Sequence, residues 1–416
     1  MDENLKALIR ENLVSRRSNQ FQWLADLVRL PSEIQAEGGV AGGPGDMGEI
    51  SELTLNALKD LELGIERHTV TPETGEQAAE ITNLVVRHEF AAGPVMALVA
   101  HGDTRPCDNK KAWSTDPFGG EIRNGALYGH GVLSKADLTV YAHALAALRD
   151  ARPDLSGTVE LHFTFDGEAD GVWGSKWLLD NSVINPDYAL GSGISYGIGT
   201  SSTGDLQLRV EIECLTSGAG AGSGEGADPM EAASRVMDAL YELRRTYPGI
   251  QSDVPGIGSP SLVIGSIKGG ERPDAAPGRV EFSMDRRLLP DEDPVEVEKN
   301  LTALIAEEAS RTPGTVCRIN QIKLRRPMRP GPGTDKLAGV LERQATAIMG
   351  AGVPVYGVPF GAATRHYAAV GIPSVLYGAG PESMQQGPDE SLVLDDLRKA
   401  TEVVALALCD FMTPAG

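Results

Sequence analysis

Residues 95–138 read VMALVAHGDTRPCDNKKAWSTDPFGGEIRNGALYGHGVLSKADL, and this stretch decides the fold of the chain. It opens with the apolar run VMALVA, which is typical of a strand covered on both faces in a parallel sheet. The run ends at His101, Gly102 and Asp103. Residues two apart on an extended chain point to the same side, and open α/β sheets bind ligands beyond the carboxyl ends of their strands. His101 and Asp103 are therefore candidate site residues.

Further motifs follow the H-G-D sequence in a fixed order. Trp113 precedes the D-P-F sequence at 116–118, and GALYGHG occupies 125–131. This order resembles the dinuclear zinc family of acetylornithine deacetylase, succinyl-diaminopimelate desuccinylase, aminoacylase and carboxypeptidase G. In that family a strand ending in H-x-D is followed by W-x-x-D-P-F and by G-x-L-Y-G-R-G-x-x-D-x-K. The resemblance covers essentially the whole chain, and it implies a zinc exopeptidase-like fold and a hydrolase.

Strands and helices alternate along much of the chain. The apolar spacing predicts elements in the order helix 1–30, helix 49–60, strand 81–88, strand 95–100, a helix after His130 and strand 158–165. The later part adds helix 336–349, strands 354–358 and 373–377, and helix 391–412. Such alternation is typical of βαβ units, so we predict an α/β domain with a mainly parallel sheet.

The pattern changes from about residue 204. Strands are predicted at 206–214, 261–266, 279–284 and 315–321, with helices at 229–244 and 294–309. This βαββαβ order is the ferredoxin-like signature. We therefore predict a discontinuous catalytic-type domain, residues 1–203 plus 323–416, with an inserted α+β lid at 204–322. The resemblance implies that the lid also mediates dimerisation, so a homodimer is expected.

Composition excludes several classes of protein. The 41% hydrophobic and 23% charged content is that of a globular protein, and no apolar run reaches the length of a membrane helix. The first 20 residues are too charged for a secretory signal. Four cysteines without close spacing indicate a reduced cytoplasm. The net charge of −21 argues against nucleic acid as a partner. We expect a cytoplasmic protein that binds neither membrane nor nucleic acid.

The resemblance implies a set of metal ligands and a catalytic base, which can be checked position by position. His101 matches the first histidine ligand, and Asp103 the carboxylate that orients it. Glu168, in the sequence Asp166-Gly167-Glu168, matches a glutamate ligand. The glutamate that acts as general base in the family is replaced here by Gly167.

Three other ligand positions differ from the family pattern. Ser134 stands where the family has the aspartate that bridges both metals, and Gln386 stands where it has the last histidine. No acidic residue lies between Tyr188 and Thr203, where a further carboxylate is expected. A three-residue shift would let Asp137 replace Ser134, but inside the tightest part of the motif. We therefore predict no resident cofactor, with zinc at low occupancy on His101 and Glu168 as the alternative.

The remaining candidate residues are predicted to bind substrate. Arg365 corresponds to an arginine that binds a substrate carboxylate in the desuccinylase branch, although a structural ion pair is the alternative. The other candidates are polar or charged residues at or beside the old metal site: His130, Ser134, Lys135, His366 and Gln386. The predicted substrate is a small amide or amino-acid derivative that carries a carboxylate.

Three classes of function follow from this sequence. The first is an enzyme with altered, metal-independent chemistry, in which the His101–Asp103 pair supplies the base. The second is a non-catalytic ligand-binding or regulatory relative, and the third is a structural partner subunit of an active homologue. We favour the first class, because the replacements at the lost positions stay polar. The His101–Asp103 pair has a purely structural alternative as a buried hydrogen-bonded pair.

Overall fold

A computed structural model describes residues 3–37, 40–44, 47–71, 80–107, 109–151, 154–215, 227–380 and 387–413. The chain divides into two compact units. The first unit comprises residues 1–200, 329–356 and 362–416. The second comprises residues 201–328 and 357–361.

Both units consist of helices and strands. The helices are α1 (Glu3–Arg29), α2 (Gly48–Asp60), α3 (Val132–Ala151), α4 (Trp177–Asp180), α5 (Pro229–Thr246), α6 (Pro294–Ser310), α7 (Thr334–Met349), α8 (Arg365–Ala369) and α9 (Leu394–Met412). The strands are β1 (Ile34–Glu37), β2 (Val40–Pro44), β3 (Ile65–Val70), β4 (Ile81–Ala91), β5 (Val95–His101), β6 (Glu121–Arg123), β7 (Ala126–Tyr128), β8 (Gly157–Thr164), β9 (Tyr188–Gly191), β10 (Ile198–Ser202), β11 (Gly204–Cys214), β12 (Ser261–Gly269), β13 (Arg279–Leu288), β14 (Thr315–Arg325), β15 (Val355–Val358), β16 (Ser374–Leu376) and β17 (Ser391–Val393).

The main sheet has the order β15-β10-β16-β9-β5-β8-β4-β3. Its four central strands, β16, β9, β5 and β8, run parallel, whereas β4 and β3 on one side and β10 on the other pair antiparallel. The α/β class predicted from the sequence is confirmed, and the parallel pairing is concentrated in the four central strands. The core of β5 is buried, as the continuous apolar run predicts.

The register between β5 and β8 positions the candidate site. The two strands pair in parallel from Val95 opposite Thr158 to His101 opposite Thr164. Residues that follow the two strands therefore leave the sheet side by side. This places the loop after His101 next to the loop that carries Gly167 and Glu168.

Helix α3 packs against α1 and α9 and is buried over nearly its whole length. Its buried polar side chains, Lys135 and Asp137 among them, are hydrogen-bonded to backbone groups, as burial requires. Its start depends on Gly131, which has a φ of +77° and whose added Cβ atom would lie 2.3 Å from Thr104 Cγ2. Only glycine meets both the left-handed backbone and the lack of space there. None of the described helices combines the length and the apolarity needed to cross a bilayer.

The second unit contains a four-stranded antiparallel sheet with the order β12-β13-β11-β14 and the helices α5 and α6. Alternate residues of β11 and β13 are buried against these helices, which gives the unit its own core. The N-termini of α5 and α6 are capped by Asp228 and Asp293, whose side chains accept backbone N–H groups. The order of elements is βαββαβ. The strands of this sheet lie between residues 204 and 325, and the role of the unit as a lid stays a prediction.

Several short elements differ from the sequence predictions. Residues 40–44 form β2, which pairs with β1 and is not among the predicted strands. The last helix, predicted at 391–412, begins at Leu394 because residues 391–393 form β17 and pair with β7. Strands of three to five residues carry too few positions to show an alternating pattern, so their partners decide their structure.

Candidate active site

His101 ends β5, and its ring is fixed by Asp103. The Nδ1 atom of His101 donates to Oδ1 of Asp103 over 3.1 Å. Asp103 is fully buried, and it also accepts the backbone N–H groups of Gly167 at 2.8 Å and of Glu168 at 2.7 Å. One carboxylate therefore orients the imidazole and holds the loop after β8. The sequence prediction of a paired His101 and Asp103 agrees with this geometry.

The charge on Asp103 changes the protonation of His101. Burial lowers the pKa of His101, but the neighbouring carboxylates of Asp103 and Glu168 outweigh it and raise that pKa to about 9. A positive imidazolium beside a buried carboxylate is favoured at neutral pH. His101 is therefore mainly a cation near pH 7, and its neutral, basic form becomes abundant only in alkali.

Gly167 is the residue that the sequence resemblance aligns with the family's general base, and the structure leaves no space for a side chain there. A Cβ atom added at residue 167 would lie 2.4 Å from Cγ of His101 and 2.7 Å from its Cδ2. The contact involves the ring and Cβ of a fixed histidine, which cannot shift without breaking its bond to Asp103. The imidazole thus packs directly against the backbone at Gly167.

Glu168 forms an ion pair with Arg105. Its Oε2 atom accepts a hydrogen bond of 2.9 Å from Nε of Arg105. The side chain of Glu168 is 11% exposed and that of Arg105 is 64% exposed. Arg105 was not predicted as a site residue, although it lies two residues after Asp103. An isolated arginine in a loop is not part of a recognisable sequence motif. The surviving ligand-type glutamate is therefore already neutralised by a cation.

The start of α3 is held by a glutamate from the C-terminal part of the chain. Glu390 accepts the backbone N–H groups of Gly131 at 3.1 Å and of Leu133 at 3.0 Å, so it caps the positive end of the helix. Burial raises the pKa of Glu390 to about 7. Ser134 lies buried in the first turn of this helix.

Lys135 was predicted to bind substrate, but its amine is fully engaged in the protein core. Its Nζ atom donates to the carbonyl oxygens of Leu27 and Leu30, each at 2.8 Å. Burial lowers the pKa of Lys135 to about 7. These contacts join α3 to the end of α1 and favour a structural role for Lys135.

Asp137 lies at the ends of β9 and β16, where it contacts two loops. Its carboxylate accepts the N–H groups of Gly193 at 3.2 Å and of Ala379 at 2.7 Å. A Cβ atom at residue 378 would lie 2.0 Å from Asp137 Oδ2, so only glycine fits at Gly378. Burial raises the pKa of Asp137 to about 7. Asp137 was set aside in the sequence because of the spacing of the motif. Its contacts with the backbone at residues 193 and 379 join distant parts of the chain, so the sequence alone does not predict them.

His130 is buried beside the loop that carries Arg105. Its Nε2 atom donates to the carbonyl oxygen of Arg105 over 2.7 Å. The rings of Trp113 and Phe118 meet it edge-on, with centroid distances of 6.2 and 5.9 Å. His130 therefore holds the backbone of the loop at Arg105. The predicted contact of His130 with substrate stays a prediction.

Arg365 and His366 both bind Asp170, in the loop after β8. Nη2 of Arg365 donates to the carbonyl oxygen of Asp170 at 2.5 Å and to its Oδ1 atom at 2.6 Å. Nε2 of His366 donates to the same carbonyl at 2.7 Å. Arg365 is only 8% exposed, and burial lowers the pKa of His366 to about 4. The geometry matches the alternative reading of Arg365 as a structural ion pair.

The predicted residues fall into two groups at the strand ends. One group, around the loop after β5, contains His101, Asp103, Glu168 and His130. The other group is Arg365 and His366 of α8, which contact Asp170 in the loop after β8. Gln386 lies outside the described residues. Across the ranges that the structure describes, no three His, Cys, Asp or Glu side chains meet as a group that could hold a metal ion.

The mixed α/β fold, with polar residues at the ends of its central strands, is that of the zinc exopeptidase-like fold class. The profile of peptidase family M20/M25/M40 matches residues 97–410, so the chain belongs to that family. Solved structures of other proteins resemble this chain over nearly its whole length. Human carnosine dipeptidase 1 matches with a TM-score of 0.71 at 18% identity, covering 98% of this chain and 99% of that one. An M20 metallo-carboxypeptidase from Sulfolobus solfataricus matches with a TM-score of 0.70 at 16% identity, covering 99% of each chain.

Sequence relatives include desuccinylases. The succinyl-diaminopimelate desuccinylase of Stenotrophomonas maltophilia strain R551-3 is 30% identical over 238 residues, which are 54% of this chain and 61% of that protein. The protein of the same name from Xanthomonas euvesicatoria pv. vesicatoria strain 85-10 is 29% identical over 298 residues, 63% of this chain and 74% of its own length. The first match thus spans less than two thirds of its relative.

Proposed function

We propose that this protein hydrolyses an amide or related bond in a small, carboxylate-bearing amino-acid derivative, at a site that has lost the dinuclear metal centre. The observation that carries the proposal is the packing of His101, fixed by Asp103, onto Gly167 at the position of the family's base. Family membership supports a hydrolase. The named activity of the sequence relatives, removal of a succinyl group from diaminopimelate, supports a substrate with carboxylates.

The remaining donors do not suit a pair of zinc ions. Of the five family ligand positions, His101 and Glu168 keep their residue types, and both are engaged with charged partners of the protein. Zinc sites in proteins use three or four protein ligands. Ser134 offers a hydroxyl where a carboxylate would bridge two dications. The proposed reaction therefore uses no metal ion.

A metal-free reaction places the proton transfers on His101. In its neutral form, Nε2 of His101 takes a proton from water, and the resulting hydroxide attacks the carbonyl carbon of the amide. The Nδ1–H group donates to Asp103 throughout, which fixes the tautomer and stabilises the imidazolium. The imidazolium then returns the proton to the leaving nitrogen as the C–N bond breaks. The products are a carboxylic acid and an amine.

Turnover assays with N-succinyl and N-acetyl amino acids, after dialysis against a chelator, test this proposal. We expect hydrolysis by the dialysed protein and no hydrolysis by His101→Ala, which should keep its affinity for substrate. The matched control is His88→Ala, a change of the same size on β4. Equal activity of His101→Ala and the control would exclude His101 as the base.

A second candidate function is that of a ligand-binding relative without turnover. The observation that favours it is the raised pKa of His101, which leaves little neutral imidazole at pH 7. Binding of acylated amino acids without hydrolysis at any pH from 6 to 10 would support this function over the first. The same result would leave a regulatory or partner-subunit role open to study with an active homologue.

We also propose a homodimer formed through the sheet of the second unit. β12 and β14 are the edge strands of that sheet, and edge strands offer unpaired backbone groups to another chain. On β12, Val263 and Ile267 are 53% and 50% exposed. Sedimentation should give a dimer, and a monomer at micromolar concentration would contradict it. A cytoplasmic location is part of the same proposal, and the wide spacing of the four cysteines in the sequence supports it.

A further inference from the structure

We propose that Arg105 binds the carboxylate of the ligand and takes over the positive charge that metal ions provide in related sites. This inference rests on the proposed function for the class of ligand. It assigns the anion contact to Arg105, a residue in the loop after β5, and not to Arg365. The ligand is a small mono- or dicarboxylate, or an acylated amino acid that carries one.

The guanidinium of Arg105 has one edge in use and one edge available. Its Nε atom donates to Glu168 over 2.9 Å, and within the described ranges this is the one hydrogen bond of the Arg105 side chain. The side chain is 64% exposed. The two terminal nitrogens therefore present a planar pair of donors to solvent. Such an edge matches the two oxygens of a carboxylate.

The backbone holds this exposed arginine in a defined place. Thr104, the preceding residue, donates its N–H to Ser32 at 2.8 Å and accepts from Ile34 at 2.9 Å. The carbonyl oxygen of Arg105 accepts from Nε2 of His130 at 2.7 Å. The ion pair with Glu168 then orients the guanidinium. An arginine fixed at its backbone and at Nε loses less entropy on binding than a free surface arginine.

The charges nearby favour an anion at Arg105. Its loop also carries Lys110 and Lys111, both exposed, in a chain whose net charge is −21. Arg365 is not available in the same way, because it is buried against Asp170. The loop after β5 is thus the positive part of the strand-end region.

Calorimetric titration with succinate, and with the uncharged analogue succinamide, tests the inference. We expect the wild type to bind succinate and not succinamide. Arg105→Ala should weaken succinate binding about 10- to 100-fold, the effect of losing a charged hydrogen-bond pair. Arg105→Lys should recover only part of the affinity, since an amine lacks the planar fork. Because Arg105 is exposed, its variants should remain folded, and thermal melting checks this.

Two further variants make the test specific. Lys111→Ala removes a charge from the same loop without touching Glu168 and should change succinate affinity less than twofold. Glu168→Gln keeps an acceptor for Nε and removes the negative charge beside the bound anion, so it should strengthen binding severalfold. Unchanged affinity in Arg105→Ala, an equal loss in Lys111→Ala, or no succinate binding by the wild type would overturn the inference. All these measurements concern binding, so hydrolysis can fail while the role of Arg105 holds, and the reverse.

Discussion

The ring of His101 lies so close to Gly167 that a Cβ atom at residue 167 would come within 2.4 Å of its Cγ atom. In the family pattern this position carries the glutamate that acts as general base. Here the imidazole uses the space that a side chain at 167 would need. The glycine at 167 and the histidine packed onto it are therefore parts of one arrangement.

Gly167→Ala should displace the His101 ring and weaken its bond to Asp103. We expect turnover to fall at least about tenfold, because a small displacement of a catalytic group lowers the rate strongly. The pKa of His101, followed by NMR titration of the imidazole, should move from that of the wild type. Gly258→Ala is the control, since an added Cβ there meets nothing within 4 Å. Wild-type activity and titration in Gly167→Ala would show that the contact is not made.

The pH dependence of hydrolysis should follow the protonation of His101. Because the pKa of His101 is raised to about 9, activity should increase with pH up to that value. Asp103→Asn removes the main carboxylate that raises the pKa and leaves the effect of burial, so the rising limb should move to lower pH. A pH–rate profile of kcat/KM measures this. A limb at the same pH in both proteins would assign it to another group.

The same pair affects stability in a defined direction. The folded-state pKa of His101 lies above its usual value near 6.5, so the stabilisation is fully present below pH 6.5 and is lost as the pH rises through about 9. Asp103→Asn should therefore lose more stability at pH 6 than at pH 10, relative to the wild type. Chemical denaturation at both pH values checks this difference.

Arg365→Ala should mainly reduce stability. The change leaves Asp170 without its ion pair, and removing one partner of a largely buried pair costs about 2–4 kcal/mol. Succinate affinity should change far less than in the Arg105 variants. Urea denaturation and calorimetry on the same sample separate the two effects. A large loss of affinity with full stability would instead support the role predicted from the sequence.

Asp137→Asn should alter how stability depends on pH. Burial raises the pKa of Asp137 from 3.8 to about 7, so the folded state favours the protonated acid, and this contribution is lost as the pH rises from about 4 to 7. Asparagine mimics the neutral acid and does not ionise. Relative to the wild type, the variant should gain about 4 kcal/mol between pH 4 and pH 9. Parallel stability curves for the two proteins would contradict the buried position of this carboxyl.

The fold was predictable because its signals are local and repeated. The apolar run of β5, the alternation of strands and helices, and the order of motifs from His101 to Gly131 each depend on neighbouring residues. The pairing directions at the sheet edges were not predictable in the same way. β4 and β10 run antiparallel to their neighbours, and only the completed sheet determines that direction.

The candidate site was predictable only in part. His101 and Asp103 share one strand end, so their contact follows from a two-residue spacing. The pairing of Arg365 with Asp170 and the capping of α3 by Glu390 join distant parts of the chain, and no local pattern encodes them. Arg105 carries no motif, and its contact with Glu168 depends on the register of β5 with β8.

Metal analysis of the purified protein tests the central claim most directly. After dialysis, with and without prior incubation in zinc, elemental analysis by mass spectrometry should find well below one zinc ion per chain. A chelator should leave the melting temperature unchanged, because a ligand stabilises only a state that binds it. Two zinc ions retained per chain, with a melting temperature that falls on chelation, would contradict the account and would favour Asp137, not Ser134, as the bridging position.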